Sequence, residues 1–191
     1  MEFLSHTYNA LRGPTGAPQT ALETVRRLAD RLSQDTLPSD RRAAVLSLKG
    51  LSRDCKADVG ETALPGLLEV LEKDTDVDAD MGKAVLETLT ILCELSGEGD
   101  NTIPSASGKD VGMKHTDVVL ENPKAANKLF QLLGDQSFYT RYATLQLLQV
   151  LLHNRRPVVQ GYFIKSSLGF GNVIAVLEEK REIIRNGMSQ L

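Results

Sequence analysis

Apolar residues recur along this chain at intervals of three and four, and nowhere do they alternate as a half-buried strand requires. Thr20-Ala21-Leu22-Glu23 has the form of a capping box, and Leu22, Val25, Leu28, Ala29 and Leu32 then trace one buried helical face. Leu37-Pro38-Ser39 breaks that helix, and Ser39 can cap the next, over about residues 40–53, with Ala43, Ala44, Leu46, Leu48 and Leu51. A short piece, 56–61, leads to a helix starting near Pro65, because proline suits a first turn. Four aspartates between Asp74 and Asp80 open a helix over 80–95. Residues 97–117 are rich in Gly, Ser and Asp and longer than the roughly 12–15 residues a compact domain allows without structure, which predicts a disordered insertion. Periodicity resumes near Thr116. Asn122-Pro123 opens one helix, Gly134 is placed to end it in the left-handed conformation, and Ser137 caps a strongly apolar one. Arg155-Arg156-Pro157 separates the latter from Val158–Ile164, and further helices follow over Val173–Leu177 and from Arg181.

Two patterns repeat in a fixed order. An apolar quartet occupies Leu67-Leu68-Glu69-Val70-Leu71, Leu129-Phe130-Gln131-Leu132-Leu133 and Val173-Ile174-Ala175-Val176-Leu177. A small residue with apolar neighbours follows each, at Ala84, Ala143 and Gly187, and an earlier copy at Ala44 follows a degenerate quartet around Leu28 and Leu32. The small residues lie 40, 59 and 44 apart, and the quartets start 62 and 44 apart. Taking an insertion of about 20 residues out of the two long intervals leaves a period near the roughly 40–47 residues of armadillo and HEAT repeats. The fold expected is all-α, a superhelical α-solenoid of armadillo-type repeats, with an ordinary helical bundle as the alternative. Residues 1–18 form a flexible arm, 19–191 the repeat domain, and the last repeat is incomplete, as in a piece of a longer head.

Composition narrows the functions. The 191 residues carry a formal charge of −3, 41% hydrophobic and 5% aromatic content. A mildly acidic chain is poorly suited to nucleic acid, which needs phosphate neutralisation. The basic pairs Arg26-Arg27, Arg41-Arg42 and Arg155-Arg156 read as solvated helix faces. Cys55 and Cys93 lack metal or redox spacing and read as buried free thiols, a disulfide being the alternative. No secretory leader and no run long enough to span a bilayer is present, which points to a cytosolic chain. His6, His115 and His153 are scattered, Gly169-Phe170-Gly171 is half a dinucleotide fingerprint, and no nucleophile motif occurs. Asp74, Asp76, Asp78 and Asp80 resemble the opening of a calcium loop, yet Ala79 stands where its glycine belongs and Val85 where its glutamate belongs. No catalytic, cofactor or metal residue is assigned, and an enzyme is not expected.

Met1-Glu2-Phe3-Leu4, the stretch Ala21–Arg31, Leu37-Pro38-Ser39-Asp40-Arg41-Arg42-Ala43-Ala44-Val45, Leu48-Lys49-Gly50-Leu51-Ser52, Asp58-Val59-Gly60 and Arg181-Glu182-Ile183-Ile184-Arg185-Asn186 resemble the amino-terminal head of the general vesicular transport factors. These are coiled-coil tethers between endoplasmic reticulum and Golgi. The resemblance implies a protein-binding scaffold that docks Rab-family GTPases and Golgi tethering or SNARE-associated factors. It also implies peripheral membrane association through partners, at the Golgi and on transport vesicles, and homodimerisation mainly through regions beyond Leu191. A generic scaffold or oligomerisation module is the alternative. If the quartet-bearing helices line a concave groove, Glu69, Glu72, Lys128, Gln131 and Glu178 are the candidate contacts, all outside the core pattern.

Overall fold

The computed structural model describes residues 20–95, 110–166 and 169–177, which are all-helical. The helices are α1 Ala21–Asp30, α2 Pro38–Leu51, α3 Lys56–Lys73, α4 Ala79–Cys93, α5 Val111–Glu121, α6 Pro123–Leu132, α7 Phe138–Lys165 and α8 Gly169–Leu177. The expected arm over 1–18 and the expected incomplete last repeat, with its helix from Arg181, lie outside the described residues.

Local chemistry sets most helix starts. Thr20 and Glu23 close a reciprocal capping box, each backbone N–H donating to the other's side chain at 3.2 and 3.1 Å. Asp78, Asn122 and Ser137 accept backbone N–H groups at the starts of α4, α6 and α7. Four expectations need correction. Ser39 is not a cap: α2 begins one residue earlier, at Pro38, and Leu37 stands at the capping position with no side-chain bond to give. α3 does not start at Pro65 but runs through it from Lys56. An interior proline costs about 3 kcal/mol, but Ala63, Leu64, Leu67 and Leu68 around it are buried, and each buried leucine contributes about 1.5–3 kcal/mol. The proline ring itself faces solvent. Residues 111–117 of the expected insertion are helix, begun by Asp110 accepting the Gly112 N–H, while 97–109 of it lie outside the described residues. Gly134 ends α6 without a left-handed φ; a Cβ there would stand 3.0 Å from Asn172 Oδ1 of α8. The expected break before Pro157 is present as a non-helical Arg155, φ −141° and ψ 54°, inside α7.

The repeat is visible in the packing. α1, α3, α6 and α8 pack in sequence to form one row, and α2, α4 and the first half of α7 form a second. The small residues Ala44, Ala84 and Ala143 sit buried in the second row, where they let neighbouring helices approach. The first two quartets are fully buried in the first row; of the third, Val176 is buried and Ile174 exposed. α4 is buried on nearly every side, with Met81, Ala84, Val85, Leu86, Leu89 and Leu92 all in the core. This arrangement is a solenoid, in which each unit covers its faces with adjacent units.

Neighbouring helices of the second row run parallel and in register. Arg42 reaches Asp80 and Lys49 reaches Glu87, while Lys56, just beyond α2, donates to the carbonyl of Glu94, just beyond α4. The donors are seven residues apart and each acceptor lies 38 residues on. Between α4 and α7 the same parallel sense holds: Lys83 lies over the Tyr139 ring at the N-terminal ends, and Asn154 reaches the Cys93 carbonyl at the C-terminal ends.

Candidate docking surface

The quartet row presents the sequence-predicted contacts. Glu69 and Glu72 are on α3, and Lys128 and Gln131 on the adjacent α6. Glu178 lies outside the described residues. Glu69 pairs with Lys73 one turn on, and Glu72 with Lys124 across the α3–α6 contact at 3.3 Å. Lys128 is a different kind of residue. Only 6% of its side chain is exposed, and its ammonium donates to both Asp76 carboxylate oxygens at 2.7 Å. It holds two repeats together. Gln131 is exposed. The structure thus brings four of the five onto one pair of helices and leaves Glu69, Glu72 and Gln131 at the surface.

Lys128 belongs to a network that local sequence reading missed. The turn from Asp74 to Asp80 joins α3 to α4, and its four aspartates are engaged by three basic side chains. Arg41 of α2 holds Asp74 with two parallel bonds of 3.0 Å, both partners nearly buried, while its remaining N–H groups donate to the Thr36 and Gln34 carbonyls. Arg42 bridges Asp78 and Asp80, both at 3.0 Å. Lys128 takes Asp76 from the other side. The carboxylates that resemble a calcium loop are therefore spent on guanidinium and ammonium groups. Of the basic pairs read as solvated faces, Arg26, Arg27 and Arg156 are exposed, whereas Arg41 is buried and Arg155 is held by Asp117 at 2.6 Å. One signal for the Arg42–Asp80 contact was in the chain: bases at 42 and 49 stand 38 residues before acids at 80 and 87.

The opposite end of α4 has another constellation. Its last carbonyls would be orphaned as the helix ends. The Leu92 carbonyl accepts from His115 Nδ1 at 2.9 Å, that of Cys93 from Asn154 at 2.8 Å, and that of Glu94 from Lys56. Asn154 also donates to the Thr116 hydroxyl at 2.7 Å. His115 fits against α3 only because residue 60 is glycine: a Cβ there would stand 1.8 Å from His115 Nε2. Gly112 is pressed as closely against the Glu94 carbonyl. Burial lowers the His115 pKa, and burial pushes the Cys93 thiol up to about 12, so that it stays a thiol. Cys55 and Cys93 are both free, and His153 is exposed at the surface of α7. No described helix is long and apolar enough to cross a membrane.

No family model matches the chain. Over 183 residues, 93% of its length, it is 32% identical to human general vesicular transport factor p115, of which it covers 19%. It is 27% identical over 186 residues to the intracellular protein transport protein uso1 of Schizosaccharomyces pombe, covering 97% of this chain and 17% of that one. The chain thus spans about a fifth of the length of the curated relatives it matches. Crystal structures of Uso1-1 and Uso1-2 superpose with TM-scores of 0.76 and 0.77, at 27% and 26% identity, over 88% and 93% of this chain and 28% and 30% of theirs. The resemblance read from the sequence is borne out, and the solenoid is armadillo-like.

Proposed function

We propose that this chain, a homologue of the p115 and Uso1 vesicular transport factors across most of its own length, is a docking scaffold in vesicle tethering between endoplasmic reticulum and Golgi. The observation that supports the reading is the human relative, matched over 93% of the chain. Its partners would be proteins: a Rab-family GTPase, together with Golgi tethering or SNARE-associated factors. Through them the chain would sit peripherally on Golgi and vesicle membranes. Binding would use surface complementarity without bond chemistry, so no catalytic step is assigned. On the quartet row, the half-buried Glu69 and Glu72 and the exposed Gln131 are the contacts of this reading. Lys128 would support the surface from beneath, and Glu178 remains with the proposal.

The test is capture of an early-secretory Rab by the purified chain, with the GTPase loaded with a GTP analogue or GDP. Preferential capture of the GTP form supports the reading. Equal capture of both forms, or capture of neither, overturns Rab docking by this chain.

A further inference from the structure

The second row has an edge that the preceding readings leave unused. α2, α4 and α7 run parallel, so the turns that start them lie along one side. From that side three large apolar side chains project: Leu37, 66% exposed, Val77, 87%, and Tyr139, 63%. Leu37 stands directly before α2, and Val77 stands two residues before α4.

Scattered surface apolar residues need no explanation, but these two stand where local physics favours something else. Leu37 is the capping residue of α2, a position that favours Ser, Thr, Asn or Asp, and it caps nothing. Val77 precedes the cap of α4, where an apolar residue ordinarily staples onto the fourth helical residue; here that residue is Gly82, with no side chain to meet it. Neither residue serves its own helix. The charge around them has one sign in excess. The stretches 33–42, 74–83 and 134–141 hold seven aspartates against Arg41, Arg42, Lys83 and Arg141, with Lys128 reaching in from α6. Arg41 and Lys128 are buried in their pairs, Asp35 and Asp40 form no ion pair among the described residues, and Asp135 meets a basic side chain only through its backbone carbonyl, which accepts from Arg141. Beside Val77 runs a cleft lined by Pro38, Arg42, Val77 and Asp78.

We propose that this edge is a docking surface for a protein helix carrying apolar residues at heptad spacing among lysines and arginines. Packed helices stand about 8–10 Å apart, and seven residues of a partner helix rise about 10 Å. A heptad-spaced helix laid along the edge therefore offers one apolar side chain to each projection. Its cations face the uncompensated aspartates, which gives orientation and rate. The inference rests on the scaffold reading above, and it moves the contact from the quartet row to the turns.

The probe is a fluorescent three-heptad peptide with leucine at every seventh position and Lys and Arg around it, alongside a twin with glutamate at the basic positions. Both are titrated into the 191-residue chain by anisotropy. Saturable binding of the basic peptide is expected, weakened about tenfold or more by Leu37→Asp and by Val77→Asp and unchanged by Val118→Asp on α5. Leu37→Asp supplies the missing cap, so its melting temperature should equal or exceed the parent's, which separates lost binding from lost folding. Binding that ignores both edge substitutions, equal binding of the glutamate twin, or no saturable binding overturns the proposal. So does self-association in light scattering that Leu37→Asp abolishes, because the occupant would then be a second copy. Rab capture is measured in parallel on the same variants: peptide binding without Rab capture removes the transport reading and leaves the edge, and the reverse removes the edge alone.

Discussion

The two ends of α4 are joined to the rest of the molecule by different physics. At its start, the Asp74–Asp80 turn is tied to the repeats on either side by Arg41, Arg42 and Lys128. At its finish, His115, Asn154 and Lys56 take successive carbonyls, and His115 is seated against a glycine. The first junction uses opposite charges whose geometry tolerates movement, except at the buried Arg41–Asp74 pair. The second uses steric fit and directional bonds, with little room for error. Solenoid repeats therefore need no uniform adhesive; each junction can be solved locally, provided the period is kept.

The sharpest way to break the comparison is at the one buried ion pair. Arg41→Ala leaves Asp74 buried and unpaired and should cost about 3–5 kcal/mol, measured by urea unfolding. Arg41→Met with Asp74→Leu should recover most of that loss; no recovery would show that the pair holds more than its own charge. Next comes the steric end. Gly60→Ala forces a methyl onto His115 and should cost about 1–3 kcal/mol, in spite of alanine's better helix propensity. A neutral or stabilising result would mean that the histidine side chain can move aside freely.

Acid should act on the same end. His115 has its folded pKa lowered below the ordinary 6.5 because burial disfavours the charged ring. The unfolded chain therefore binds that proton more readily. The stabilising contribution is complete above pH 6.5 and is lost as pH falls from there towards the folded pKa, at no more than about 1.4 kcal/mol per pH unit for one proton. Replacing His115 by Gln should flatten this slope between pH 6.5 and 5. The smallest effect belongs to the half-buried Lys49–Glu87 pair midway along α4. Lys49→Ala should cost about 0.2–1 kcal/mol, and less in 1 M salt, where surface pairs are screened.

The fold was legible where it was written in apolar spacing. The quartets at 67–71 and 129–133 and the small residues Ala44, Ala84 and Ala143 are the buried ones, because a repeat must offer the same faces to its neighbours each time. What was missed depends on partners far along the chain. Pro65 reads as a helix start from its own chemistry and is overruled by leucines packing on other helices. His115 reads as part of a polar insertion, because nothing near it in sequence announces Gly60 or Leu92 as its surroundings. Lys128 reads as a surface contact because its position in the helix is polar, yet Asp76 lies 52 residues away and draws it under. The charge pairs 42 with 80 and 49 with 87 were readable as a correlation at the repeat period.

The three side chains that close the end of α4 come from α5, α7 and the start of α3. A helix that borrows its closure from distant parts of the chain does not need its own continuation to supply those bonds.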